Sequence, residues 1–421
     1  MLSVFDLAAL LLTLSALFGW INTRFLGLPH SIGMLIMGLA SSLSLIAAEV
    51  AFPDIAIFHR LESTLRGIDF TDLVMDGMLA FLLFASALNV DLKAMRDRTW
   101  QVVFLAVFGT LISAFIVGFG FWALSGAIGH QMPLIWAMVF GALISPTDPV
   151  AVMSALKNVR VPGGLRVETE GESLFNDGVG VVLFTLFLGV AVSDGAKTFG
   201  FMEAIDAILV EAGGGLALGG FTGYLAYRAM RAIDDFAVEV LITLGLVTAT
   251  YSIALSLGIS GPLSMVSAGL LIGHRAPRDL FSDRSKGYVT ALWTLIDEVL
   301  NSVLFLLIGL EVLLLSTTEV SPGLSLLAIP LVLLARLIAV STPILTLGWT
   351  GRLSARAIPF LTWAGVRGGV SVALALALPD VTAKPGILAA TYAVVLFSII
   401  VQGSTLARVA RATLDIPEDP K

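Results

Sequence analysis

Two short polar segments carry residue types that bind small cations and protons. Ser145–Pro149 reads Ser-Pro-Thr-Asp-Pro, and Glu172–Asp177 reads Glu-Ser-Leu-Phe-Asn-Asp. Both segments lie inside stretches that are apolar enough to cross a membrane. A charged side chain near the bilayer centre costs roughly 2.5–3.5 kcal/mol on insertion scales, so acids in such stretches are usually functional. We therefore expect Asp148, Glu172 and Asp177 to line an ion or proton path.

The two prolines beside Asp148 predict a break in the helix. Proline lacks a backbone N–H and biases the residue before it away from helical conformation. We expect the span to be interrupted at Asp148. Broken spans at mid-membrane expose carbonyls and helix ends to ions, as in secondary transporters.

The spacing of the second segment predicts two adjacent polar stripes. Residues four apart share one face of a helix, so Ser173 lies over Asp177 and Glu172 over Asn176. Their carboxylate, hydroxyl and amide oxygens are hard donors suited to an alkali cation. Thr147 and Asp148, with the carbonyls that Pro149 frees, can complete such a shell. The alternative is a buried polar network that only joins two helices.

Two arginines in apolar stretches, Arg336 and Arg367, are the available partners for these acids. A guanidinium stays charged in proteins, so each arginine needs a carboxylate or several carbonyls. Two arginines and three acids leave one acid without a fixed counter-charge. A proton and a cation then compete for that carboxylate, which is an antiport mechanism when it is coupled to alternating access.

The composition of the chain indicates a polytopic membrane protein. Of its 421 residues 57% are hydrophobic and 13% are charged, whereas soluble domains carry about 25% charged residues. The absence of cysteine excludes disulfides, thiolate metal sites and thiol catalysis. We expect the lipid bilayer, monovalent cations and protons as partners, with no nucleic acid, no cofactor and no enzymatic activity.

Thirteen apolar segments are long enough to be membrane spans, which predicts an all-α polytopic protein. They are 4–22, 28–48, 68–90, 99–125, 132–156, 167–193, 200–227, 236–257, 260–274, 287–315, 323–349, 354–379 and 386–407. Eighteen of the 24 lysines and arginines fall in one set of alternate loops and the tail, and only four in the opposite loops. This positive-inside asymmetry predicts an N-terminus outside and a C-terminus in the cytoplasm.

The spans divide as six, one and six. We predict a single membrane domain with repeat one at about 1–195, a linking helix at about 200–227, repeat two at about 236–410, and a short cytoplasmic tail at 412–421. Span 5 contains the Asp148 break. Span 12 contains Gly365-Val366-Arg367-Gly368-Gly369, which also weakens a helix. Because six is even and one helix links them, the repeats have opposite topology, with discontinuous helices 5 and 12 meeting at mid-membrane.

Five motifs together resemble the NhaP-type cation/proton antiporters, microbial relatives of the animal sodium/proton exchangers. They are Ser145–Val152 (SPTDPVAV), Glu172–Asp177 (ESLFND), Ser260–Leu263 (SGPL), Leu304–Glu311 (LFLLIGLE) and Trp363–Gly369 (WAGVRGG). The likeness runs along the whole chain. It departs at Leu83–Ala87 (LFASA), where many members of the family carry an acid after the phenylalanine.

The resemblance implies a homodimeric antiporter of 13 helices in the cell membrane. A dimer domain of roughly spans 1–3 and 7–10 stays still, while a core domain of spans 4–6 and 11–13 carries the ion like an elevator.

The resemblance also implies a role for each polar residue in the two segments. Asp177 matches the essential ion- and proton-binding acid. Asp148, Ser173 and the Thr147 carbonyl match its Na+ co-ligands, and Asn176 matches the neutral member of an Asn-Asp pair. Glu172 matches the acid that forms a structural ion pair with the core arginine, here Arg336, and Arg367 is a second core charge.

We therefore expect exchange of Na+ or Li+ for H+, one for one and electroneutral. K+/H+ exchange by the same fold is the alternative. An intramembrane aspartyl protease using Asp148 and Asp177 is a distant one, since its Tyr-Asp and Gly-x-Gly-Asp sequences are missing around these acids. A channel would need a filter of repeated carbonyls, of which the sequence has no sign. Asp76, Asp297 and Glu298 receive no role from the sequence.

Overall fold

The computed structural model describes most of the chain and has helices as its only regular secondary structure within that part. The described residues are 4–51, 77–90, 95, 98–157, 159, 161–192, 201–279, 283–311, 322–346 and 356–414. Asp76 and most of the tail predicted at 412–421 lie outside these ranges, as do several of the basic residues counted for the loops. Among the described residues, the fold is the all-α membrane architecture that the sequence predicts.

Fifteen α-helices are described; two of them contain a π-helical turn, and a third π-helical turn, Asn22–Leu26, follows the first helix. They are α1 (Val4–Ile21), α2 (His30–Ala51), α3 (Leu79–Asn89), α4 (Thr99–Ala127), α5 (Leu134–Ile144), α6 (Pro149–Ala155), α7 (Gly163–Val192), α8 (Phe201–Met230), α9 (Phe236–Leu257), α10 (Gly261–Asp279), α11 (Asp283–Glu311), α12 (Pro322–Thr346), α13 (Ala357–Trp363), α14 (Gly369–Leu376) and α15 (Lys384–Thr413).

Each of the thirteen predicted spans overlaps one helix or one broken pair. Span 5 is the pair α5 and α6, bent by 43° at the break, and span 12 is the pair α13 and α14. Both predicted discontinuous helices are therefore present. Within the described ranges, eight helices are long and apolar enough to cross a membrane, or nine with the bent pair. The count of thirteen and the division into two repeats stay predictions.

Local sequence explains where individual helices begin and how closely they pack. The carboxylate of Asp235 accepts hydrogen bonds from the N–H groups of Ala237 (2.9 Å) and Val238 (3.3 Å) and so caps α9. Helix α8 lies so close to α10 that a Cβ at Gly215 would come within 2.5 Å of the Ser260 carbonyl oxygen. Small residues permit this backbone approach, which is common between membrane helices.

The helices pack most extensively within two groups. In one group, α10 packs against α3 and α8, and α11 packs against α2 and α3. In the other, α4 packs against α5 and α12, α7 packs against α5, and α12 packs against α15. Both broken spans belong to the second group, which we call the core group. The first group, which contains α11, is called the scaffold group.

Candidate functional site

The break in span 5 is held by Asp148 itself. Helix α5 ends at Ile144 and α6 begins at Pro149, where proline is tolerated because the first helical N–H has no partner. Oδ1 of Asp148 accepts hydrogen bonds from the N–H groups of Val150 (2.8 Å) and Ala151 (3.2 Å). The carboxylate thus caps α6 with one oxygen and keeps Oδ2 free of these bonds.

The break in span 12 lies directly against the break in span 5. Helix α13 ends at Trp363 and α14 begins at Gly369. Between them, the carbonyl of Val366 accepts a 2.8 Å hydrogen bond from the N–H of Asp148. Two irregular segments more than 200 residues apart in sequence are therefore joined by their backbones, and buried backbone groups that the breaks leave free find partners in each other.

Arg367 lies at the C-terminal end of α5. Its Nη1 donates to the carbonyls of Ser145 (2.5 Å) and Pro146 (3.0 Å). The side chain is fully buried, and its Nε and Nη2 have no hydrogen-bond partner among the described residues. A cation at this position interacts favourably with the partial negative charge at a helix C-terminus.

Arg336 lies in the equivalent place at the end of α13. Its Nε donates to the carbonyl of Leu361 at 3.3 Å. Its two terminal nitrogens bind the two carboxylate oxygens of Glu172, with Nη2 and Oε2 2.9 Å apart. Both partners are buried, so this is a bidentate ion pair shielded from water. Each broken span thus has an arginine at the C-terminal end of its first half.

This arrangement corrects one step of the sequence argument. We expected the two arginines to leave one of three acids without a counter-charge. In the structure Arg336 forms an ion pair with Glu172, whereas Arg367 binds backbone carbonyls. Neither Asp148 nor Asp177 therefore forms an ion pair with a described residue. Backbone carbonyls that the breaks leave free compete with carboxylates as partners of an arginine, and the residue types alone do not distinguish the two outcomes.

A buried network connects the span-5 break to α7. The N–H of Thr147 donates to Oδ1 of Asn176 (3.3 Å), whose Nδ2 donates to the Thr147 hydroxyl (2.8 Å). The hydroxyls of Thr147 and Ser173 share a further hydrogen bond of 2.8 Å. Ser173 and Asn176 therefore hold Thr147 by hydrogen bonds. In this conformation neither of them lines the cavity that contains Asp148 and Asp177.

Asp148 and Asp177 line one cavity of about 50 Å³ together with Thr147. Asp177 is 8% exposed, and no hydrogen bond to its carboxylate is found within the described ranges. The cavity is large enough for one or two waters, and hence for a partly dehydrated alkali cation between the two carboxylates. The structure thus brings Thr147, Asp148 and Asp177 together as the sequence predicts.

A second, larger cavity of about 640 Å³ adjoins the first. We call it the vestibule. Its walls include Lys157, Arg166 and Glu170, and it shares Pro149, Val150, Ser86, Asp297 and Asn301 with the inner cavity. The shared residues place the vestibule directly beside the cavity that holds the two carboxylates.

Comparison with known proteins shows the family to which the chain belongs. Residues 12–412 match the family model described as "Sodium/hydrogen exchanger, transmembrane". The Na(+)/H(+) antiporter NhaP of Pseudomonas aeruginosa is 40% identical over 412 residues, covering 96% of each chain. The antiporter NhaH of Halobacillus dabanensis is 32% identical, covering 90% of each.

The solved structure of the sodium proton antiporter MjNhaP1 from Methanocaldococcus jannaschii at pH 8 has the same fold. Its TM-score is 0.76, with 20% sequence identity, 97% of this chain covered and 98% of that chain. The relatives are transporters rather than enzymes. On this evidence the chain belongs to the sodium/hydrogen exchanger family of membrane transporters.

Proposed function

We propose that this protein is an Na+/H+ antiporter of the cell membrane. The observation that carries the proposal is the pair Asp148 and Asp177, which line one cavity without an ion pair to any described residue. Carboxylates at membrane depth need a bound cation or a proton to lose their charge. One cavity that accepts either, reached from one side at a time, exchanges the two. The names of the relatives support Na+ as the cation.

Within this proposal Asp177 binds the exchanged proton or cation. It is the less exposed of the two cavity acids, and it has no hydrogen bond of the kind that ties Asp148 to α6. Asp148, the Thr147 carbonyl and the Ser173 hydroxyl serve as co-ligands. Asn176 holds the Thr147 loop in place, and Ser173 reaches the ion by releasing its bond to the Thr147 hydroxyl.

The charges of the five residues around the two breaks support a stoichiometry of one for one. Arg336 and Arg367 contribute two positive charges, while Glu172, Asp148 and Asp177 contribute three negative charges. The sum is minus one, which one monovalent cation or one proton neutralises. Exchange is then electroneutral, and Li+ is carried by the same oxygen ligands.

Alternating access in this proposal follows the two packing groups. The core group, which holds both broken spans, moves as an elevator against the scaffold group of a homodimer. The vestibule is lined by Lys157 and Arg166, which the positive-inside asymmetry assigns to the cytoplasm. The conformation described here is accordingly open to the inside, with the N-terminus outside and the C-terminus in the cytoplasm.

Proton flux in proteoliposomes tests the function. The purified protein should move protons in response to gradients of Na+ and Li+, and each cation, including K+, is offered in turn. Asp177→Asn should abolish the movement, whereas Asp380→Asn, which neutralises a fully exposed acid, should not. Dissipation of an Na+ gradient without proton movement would indicate a channel. If neither Na+ nor protons move, the proposed transport function is wrong. Exchange of protons for K+ alone would identify K+ as the transported cation.

A further inference from the structure

Asp297 lies where the vestibule narrows into the ion-binding cavity. It lines both cavities, as does Asn301 one helical turn further along α11. The amide of Asn301 donates to Oδ1 of Asp297 (3.1 Å) and to its backbone carbonyl (2.9 Å). Side chains at i and i+4 share one helix face, so Asn301 fixes the orientation of the carboxylate at the constriction.

The vestibule is lined by side chains of both signs, whereas the charged side chains of the inner cavity are all carboxylates. In the vestibule wall, Arg166 is paired with Glu170 at 2.8 Å, and Lys157, His30 and Glu298 are further titratable side chains. Besides Asp297, the charged residues that line the inner cavity are Asp148 and Asp177. Asp297 is thus the carboxylate that lines both cavities, and it has no ion pair with a described residue.

Asp297 also lies on a helix of the other packing group. Helix α11 packs mainly against α2 and α3, whereas Asp148 and Asp177 belong to the core group. If the core group moves relative to the scaffold, Asp297 faces the binding cavity in the conformation described here and is separated from it in the opposite one. Its influence on the ion is then confined to one face of the membrane.

We propose that Asp297, oriented by Asn301, is a positioning residue that concentrates Na+ at the mouth of the binding cavity on the vestibule side only. The inference rests on the proposed antiport and adds a one-sided determinant of apparent affinity to it. A carboxylate in a narrow cleft raises the local concentration of cations, and the effect falls with ionic strength. Neutralising it should raise KM for Na+ on that face while the maximal rate stays the same.

The test compares the two faces of the membrane with the full-length protein. Everted and right-side-out vesicles are prepared from cells without their own sodium/proton antiport, and initial rates of proton movement are measured against Na+ at low ionic strength. Asp297→Asn keeps an oxygen for the Asn301 amide while it removes the charge. We expect KM to rise about tenfold in everted vesicles and less than about twofold in right-side-out vesicles.

Two variants control for other causes. Glu298→Gln removes the same charge from the next residue, which lines the vestibule but not the inner cavity, and should leave KM within about twofold of the parent. Asp297→Glu restores the charge and should recover most of the affinity. Raising the salt concentration should reduce the difference between Asp297→Asn and the parent.

Specific outcomes would overturn the inference while leaving the antiport intact. They are an unchanged KM in Asp297→Asn, an equal rise on both faces, an equal rise in Glu298→Gln, or a lower maximal rate at unchanged KM. Failure of the proposed function is recognised separately, because the parent protein would then show no Na+-dependent proton movement in either type of vesicle.

Discussion

Gly368 lies in direct contact with the carboxyl group of Asp148. A Cβ at position 368 would come 2.6 Å from both Cβ and Cγ of Asp148, whereas ordinary contacts begin at 3.4 Å. Asp148 cannot move away easily, because its N–H donates to the Val366 carbonyl and its Oδ1 accepts from the N–H of Val150 at the start of α6. Only a residue without a side chain lets the two breaks approach this closely.

Gly368→Ala should therefore displace the Asp148 carboxylate. Overpacking of this kind typically costs about 1–3 kcal/mol, so we expect a lower melting temperature and at least a roughly tenfold slower Na+-driven proton movement in proteoliposomes. Gly245→Ala is the matched control, since a Cβ there meets nothing within 4 Å. Full activity of Gly368→Ala would show that the position of the Asp148 carboxylate does not depend on glycine at this site.

Asp148 combines two roles that substitutions can separate. Asn keeps a side-chain oxygen that caps α6 but removes the charge, whereas Ala removes both. We expect Asp148→Asn to retain the parent's thermal stability and lose most exchange. Asp148→Ala should lose exchange and also about 0.5–2 kcal/mol of stability. Thermal unfolding in detergent and proton flux are measured on both variants. Equal stability of the two would show that the cap contributes nothing.

The ion pair between Glu172 and Arg336 should matter more for stability than Asp177 does. Removing one partner of a buried pair leaves an uncompensated charge and typically costs about 3–5 kcal/mol. Glu172→Ala and Arg336→Ala should each melt well below Asp177→Asn, which leaves the pair intact. Melting temperatures in the same detergent decide this. If both alanine variants melt like the parent, the pair has no structural role.

Electroneutral exchange predicts indifference to the membrane potential. Potential enters only through the net charge moved, at about 2.3 kcal/mol per charge per 100 mV. Liposomes with equal Na+ and equal pH on both sides receive a potassium–valinomycin potential. We expect no proton movement beyond that of Asp177→Asn. Proton movement that follows the sign of the potential and requires Asp177 would reveal a second exchanging acid, most plainly Asp148.

The breaks in both spans were predictable because proline and glycine act on the backbone locally. Pro146 and Pro149 mark one break and Gly368 and Gly369 the other, and both occur where expected. The span predicted at 236–257 coincides with α9, since its apolar run is bounded by Asp235 and Gly258, which act as caps. The breaks and ends of spans can be predicted from sequence alone where proline, glycine or a capping residue marks them.

Contacts between distant segments were not predictable in the same way. Arg367 binds the carbonyls of Ser145 and Pro146, groups that every residue carries and that no sequence pattern distinguishes. Asp297 received no role because its place at the constriction depends on how α11 packs beside the core group. The available signal was its spacing of four from Asn301 within an apolar helix, and such pairs also occur on solvated faces.

The net charge of minus one on Arg336, Arg367, Glu172, Asp148 and Asp177 has a consequence for leakage in the proposed transport cycle. A core group that returns with neither cation nor proton carries an uncompensated charge through a low-dielectric interior, which is far more costly than the passage of the neutral loaded form. In the proposed antiport this barrier suppresses the empty return. If the core group moves as proposed, tight coupling, and hence the ability to hold a sodium gradient without wasting the proton gradient, follows from the one unbalanced charge of these five residues.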